Sequence, residues 1–195
     1  MIRRLVLIAF FAASFMLPLT GRAADTIDVG GAKLETTAQL GNARLQLNGS
    51  GVRYKAVFKV YAAGLYVPQK SGDAATLLGQ TGARRISIGM LRDVDAITFA
   101  GSLLDGLKSN HSEEQLAALK TQIEQLQATL KSIGETKKGD AIQLDWIPDT
   151  GTRIVVNGQP RGEPIAGAAF FGALLRVWLG DKPADTSLKK ALLGS

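Results

Sequence analysis

The run LNGSGVRYKAVFKVYAAGLYVP, residues 47–68, decides the reading of the fold. From Val52 to Pro68 there is neither Gly nor Pro until Gly64, and the composition is β-branched and aromatic, as in strands. Val52, Tyr54, Ala56, Phe58, Val60 and Ala62 hold the even positions, whereas Arg53, Lys55, Lys59 and Tyr61 hold odd ones. This period of two predicts one long strand with an apolar face and a basic face. Just upstream, Leu45 and Leu47 alternate with Arg44, Gln46 and Asn48 as in a half-buried strand, and Asn48-Gly49-Ser50-Gly51 reads as a tight turn.

Working outward, Arg84 to Leu91 gives another strand, with Ile86, Ile88 and Met90 in step. Asp95 can cap a helix whose Ile97, Ala100, Leu103, Leu104 and Leu107 recur at helical spacing. Ser112 with Gln115 forms a capping-box signature for a second helix. In it Leu116, Leu119, Ile123, Leu126, Leu130 and Ile133 form a heptad seam, with Gly134 as the stop. That seam suits either a dimer through the 113–133 helix or packing on the chain's own sheet. Asp140 to Ile147 and Thr152 to Val156 read as a hairpin, and Asn157-Gly158 as a further turn. Ile165 to Leu179 is a strongly apolar helix, and Asp185 to Leu193 a short amphipathic one. Strands, then helices, a late hairpin and closing helices make an α+β fold with an antiparallel sheet.

The first residues have a different character. Arg3 and Arg4 precede an apolar run from Leu5 to Leu19, and Gly21-Arg22-Ala23-Ala24 supplies a small-residue cleavage region. The run is shorter than the ~20 residues a membrane-spanning helix requires. Residues 1–23 are therefore expected to be a cleaved signal peptide, residues 24–195 one domain, and the destination the periplasm or the exterior. No transmembrane span is expected after cleavage, because Ile165 to Leu179 is equally short and carries Arg176. Loss of Arg3, Arg4 and Arg22 with no acid lowers the formal charge from +6 to +3, too mild to suggest nucleic acid as a partner.

The chain has no Cys, which excludes disulfides, thiolate metal sites and a cysteine nucleophile. His111 is the single histidine and stands in a polar stretch without metal-ligand spacing, so no metal and no cofactor are expected. There is no G-x-S-x-G elbow, H-E-x-x-H helix, phosphate loop or dinucleotide fingerprint.

Three blocks carry a resemblance to a known family. These are residues 47–68, the GLKSN of residues 106–110, and NGQPRGEPIAGAAFFGALLRVWLGDKPADTSLKKALLG from residue 157 to 194. Together they resemble the chalcone isomerase-like family of bacterial exported proteins, relatives of plant chalcone isomerases and plastid fatty-acid-binding proteins. The resemblance implies an open β-sandwich, an antiparallel sheet covered by a layer of helices with a ligand cleft between. It places the plant enzymes' G-V-R arginine on Arg53 and their following threonine on Tyr61, a change that alters both the pocket and its hydroxyl. Flavonoid cyclisation is therefore not carried over. An arginine with a tyrosine is the pair that fatty-acid-binding relatives are understood to use on a carboxylate.

The leading expectation is a non-catalytic periplasmic binding protein in which Arg53 and Tyr61 grip a fatty acid or similar amphipathic acid, with Arg92 as a third ligand-binding candidate. A guanidinium can give a carboxylate two parallel N–H bonds, and a phenol can add a third. Two alternatives stand beside it. One is a lyase-type isomerase with Arg53 stabilising an oxyanion and Tyr61 as proton donor. The other is a structural or interaction protein acting through the 113–133 helix. The local chemistry also permits Arg53 to be a surface charge and Arg92 to pair with Asp93 or Asp95. One geometric obstacle is plain. On a continuous strand Arg53 and Tyr61 would lie about 26 Å apart, at ~3.3 Å per residue, and no turn residue stands between them.

Overall fold

The computed structural model describes residues 25–195, so the expected signal segment lies outside the described residues. Strands β1 (Thr26–Val29), β2 (Ala32–Glu35) and β3 (Thr37–Leu40) precede two longer ones, β4 (Ala43–Lys55) and β5 (Phe58–Val67). Helix α1 (Ala74–Gly79), β6 (Arg84–Met90) and the short β7 (Val94–Asp95) lead into α2 (Ala96–Asn110). Then come α3 (Glu113–Ala118), α4 (Lys120–Ser132), β8 (Glu135–Thr136), β9 (Ala141–Ile147), β10 (Gly151–Val156) and β11 (Gln159–Ile165). Helices α5 (Ala168–Leu179) and α6 (Thr186–Leu192) finish the domain. Seven strands form one antiparallel sheet in the order β11-β10-β9-β6-β5-β4-β3. The fold is α+β, the expected sheet covered by helices.

Residues 52–67 are not one strand. The chain reverses at Ala56–Val57, with Ala56 at φ 53°, and β5 returns antiparallel along β4. A register shift between Arg53 and Tyr54 accompanies the reversal, as a bulge does where a strand must bend. Sequence gave no warning because alanine at positive φ is unusual and carries no turn signature. The two-faced pattern fails for a related reason. From Val60 to Val67 every residue of β5 is buried, since the sheet is covered on both sides here. Tyr61, Ala63, Leu65 and Val67 enter the main core with Ile86, Ile88 and Met90 of β6 and the helices. On the opposite face Ala62 meets Val29 and Leu34 of the β1–β2 hairpin.

The expected turn at residues 48–51 is instead the middle of β4. Its glycines serve helix docking. A Cβ on Gly49 would collide with the Ala191 carbonyl oxygen, and one on Gly51 would come within 2.6 Å of the Ala191 methyl. Asn48 completes the seat by donating to the Leu192 and Ser71 carbonyls, at 2.8 and 3.0 Å, and accepting from the Ser71 N–H.

Helix α5 is the centre of the covering layer, with Phe170, Phe171, Leu174 and Trp178 fully buried. Ile165, expected to begin this helix, closes β11 instead. In α2, capped by Asp95 through the Thr98 N–H at 2.8 Å, the buried stripe is Phe99, Ala100, Leu103 and Leu107, while Ile97 faces out. The 113–133 helix is broken at Leu119 into α3 and α4. Ile123, Leu126 and Leu130 are buried in the chain's own core, with Leu116, Leu119 and Ile133 packed against it. The heptad seam is thus used internally. Among the described residues no helix is long and apolar enough to cross a membrane.

Gly49→Val should lower stability by about 1–3 kcal/mol, the usual cost of forcing atoms into a packed site. Gly79→Ala, with open space around it, should change stability by no more than about 0.5 kcal/mol. Urea unfolding followed by circular dichroism decides; equal midpoints for the two variants would show that α6 does not seat on Gly49.

Candidate functional site

The reversal that sequence could not supply brings the two leading residues together. Arg53 and Tyr61 are direct cross-strand partners in the β4–β5 ladder, so their side chains share one face. The Arg53 Cζ stands 5.6 Å from the centre of the Tyr61 ring, a cation–π contact. Arg53 Nε is buried without a hydrogen-bond partner.

Tyr61 is buried and locked from behind. Its hydroxyl oxygen accepts the Trp178 indole N–H at 2.9 Å, and Phe99 meets its ring edge-on at 6.4 Å. Burial pushes the phenol up to about 12, with Arg53 pulling the other way. The space among Arg53, Tyr61, Phe99 and Val177 is about 10 Å³, room for a single water at most.

On the outer side of Arg53 the molecule opens. A cleft of about 470 Å³ runs between the β4–β5 hairpin and the start of α2. Phe58, Val60, Val94 and Phe99 give it apolar walls, and Arg53, Lys55 and Arg92 give it positive charge. Its size falls in the usual range for small-molecule sites, ~300–1,000 Å³. Arg92 is exposed and stacks over the Phe58 ring at 5.0 Å. The carboxylates that could have neutralised Arg92 are otherwise engaged. Asp93 pairs with Lys137 at 3.6 Å and accepts the Lys138 N–H, and Asp95 caps α2. Among the described residues neither Arg53 nor Arg92 forms an ion pair.

Sequence reasoning missed the contributions of Trp178, Phe99 and Phe58. Trp178 and Phe99 lie in helices remote in sequence from Arg53, and only packing brings them to it. A second cavity of about 350 Å³ lies on the other sheet face, under β2, and includes Arg85. That arginine is already neutralised by buried Asp145 through bonds of 2.6 and 2.8 Å. His111 accepts no metal-ligand neighbours; among the described residues no cluster could hold a metal ion.

A chalcone isomerase-like family model matches residues 26–194, nearly all of the described chain. The chain belongs to the chalcone isomerase-like family. Its fold is similar to that of a fatty-acid binding protein of Arabidopsis thaliana, with a TM-score of 0.65 at 15% identity over 87% of this chain and 96% of that one. No curated protein matches by sequence. At such identity the likeness establishes the fold, the curled antiparallel sheet with helices on it, and the chemistry must be argued from the residues in place.

Because the Tyr61 pKa is raised on folding, the native state holds this proton more tightly than the unfolded chain. The resulting stability is complete below the ordinary tyrosine value near 10 and is lost as pH rises toward about 12. Tyr61→Phe should flatten that part of the alkaline stability curve. It should also cost about 1–3 kcal/mol at neutral pH by leaving the Trp178 N–H unpaired. Urea midpoints of both proteins between neutral and alkaline pH test this; parallel curves would mean Tyr61 is not sealed in the native protein.

Proposed function

We propose that this chain is a non-catalytic binding protein for a fatty acid or similar amphipathic carboxylate, working in the periplasm after residues 1–23 are removed. The observation that carries the reading is Arg53. Its guanidinium has no carboxylate partner among the described residues, its Nε is buried and unbonded, and it forms the inner wall of an apolar cleft that also presents Arg92. A carboxylate entering between the two arginines would receive charge-assisted hydrogen bonds, and its tail would lie along Phe58, Val60 and Phe99. Tyr61 has accepted a bond from Trp178 but still has its own O–H to donate. Tyr61 lines the small space beside Arg53, where a single water can link its hydroxyl to the head group. The fold neighbour's own description as a fatty-acid binding protein supports the same reading.

The isomerase reading asks Tyr61 to release a proton near neutral pH. A phenol pushed up to about 12 is poorly matched to that task. The same residue suits a fixed hydrogen-bond donor well, which favours binding over turnover.

Native mass spectrometry of gently purified protein should show an acyl chain bound at one per molecule. Arg53→Ala should weaken rebinding of a long-chain fatty acid by roughly 30-fold, the equivalent of about 2 kcal/mol for a charge-assisted hydrogen bond. Arg92→Ala should weaken it less, because that side chain is exposed. A correctly folded Arg53→Ala protein that binds as tightly as the wild type would remove the basis of the proposal.

A further inference from the structure

The outer end of the cleft has an unusual surface. Among the described residues five large hydrophobic side chains are exposed, and four of them, Tyr54, Val57, Phe58 and Ile97, belong to the two elements that wall the cleft or to the turn between their strands. Val57, at the reversal of the hairpin, is 82% exposed and Phe58 is 58% exposed. The flanking residues are cationic. Lys55 pairs in register with Phe58 and Lys59 with Tyr54, while Arg92 stacks on Phe58. None of Arg53, Lys55, Lys59 and Arg92 forms an ion pair among the described residues. The nearby carboxylates are Asp93, held by Lys137, Asp95, capping α2, and Asp185, which accepts the Tyr54 N–H at 3.0 Å.

We infer that the tip of the β4–β5 hairpin, residues 54–59, docks the protein on an anionic lipid bilayer with the mouth of the cleft turned toward the membrane. The composition fits that surface. Apolar and aromatic side chains on a narrow projection enter the headgroup region, and Lys and Arg around them meet the lipid charge while their stems stay in apolar surroundings. A protein partner fits less well, because a specific interface covers ~800 Å² on each side and a six-residue hairpin tip offers less. The charge is also placed usefully, since attraction to a surface acts within a Debye length of about 10 Å and these four cations cluster at one end of the domain. Docking stands on the tip alone. Its purpose, passing an acyl chain between bilayer and cleft without crossing water, rests on the carrier reading above.

The test is co-sedimentation of the ligand-free protein with vesicles of phosphatidylglycerol and phosphatidylcholine in equal parts, against vesicles of phosphatidylcholine alone. The wild type should bind the anionic vesicles and leave the neutral ones, with binding falling steeply as salt is raised. Val57→Asp and Lys59→Glu, neither of which lines the cleft, should each reduce binding to anionic vesicles by about tenfold or more. Unchanged binding by both variants, or equal binding to both vesicle types, overturns the inference. So does a wild-type dimer that Val57→Asp splits in size-exclusion chromatography without any vesicle binding, which would make the tip a self-contact. Native mass spectrometry of the wild type, read beside its own sedimentation, separates the two proposals. Acyl retention without vesicle binding removes docking and keeps the carrier, and vesicle binding without acyl retention does the reverse.

Discussion

A cation can stand at the edge of an apolar core only if something there tolerates its charge, and here that is the face of a buried phenol. Arg53 lies against the Tyr61 ring, and Tyr61 is fixed in turn by the Trp178 indole and the edge of Phe99. The contact exists because β4 and β5 reverse at Ala56–Val57 and set the two residues opposite each other. Everything downstream of it follows in order. The reversal shapes the tip, the tip walls the cleft, and the packing of α5 and α2 behind Tyr61 stops the cleft from continuing inward. The interior beneath the pair is filled, so the accessible volume lies beside the arginine and not under it.

How much of this was legible depends on whether the deciding interaction was local. The capping residues Asp95 and Ser112 were readable because each accepts a bond from a backbone N–H three residues on, and both do so. The β9–β10 hairpin and the Asn157-Gly158 turn were readable because their turn chemistry stands in the chain. The β4–β5 reversal was not, since its positive φ falls on an alanine without a turn signature. The glycines at 49 and 51 misled for the opposite reason. They look like turn residues, yet they are small because α6 crosses them from the far end of the chain. Strands β1 to β3 and helix α1 went unread because they are short and owe their order to the surfaces they cover. The identity of Arg53 and Tyr61 as a pair could be suggested by resemblance, but their contact could not be derived from spacing.

The arginines near the sheet show how the fold keeps some charge for itself and leaves some uncommitted. Arg84 is buried, donates to the Leu77 and Leu78 carbonyls at the end of α1, and stacks on Phe171 at 5.2 Å; burial pushes it down to about 10. Its donors serve a helix terminus. Arg85 spends its Nε and Nη2 on fully buried Asp145, which Arg153 also approaches at 3.7 Å, so its N–H edge is already occupied by a carboxylate. Arg53 and Arg92 differ from both in donating to no carbonyl or carboxylate among the described residues. Each is held only by an aromatic face, Tyr61 for one and Phe58 for the other. A ring holds a guanidinium by its plane and leaves the N–H edge open, whereas a carboxylate occupies that edge. Two arginines positioned by rings around one apolar cleft therefore carry both charge and unused donors. That combination is what an amphipathic acid requires, and among the cavities described it occurs only between the β4–β5 hairpin and α2.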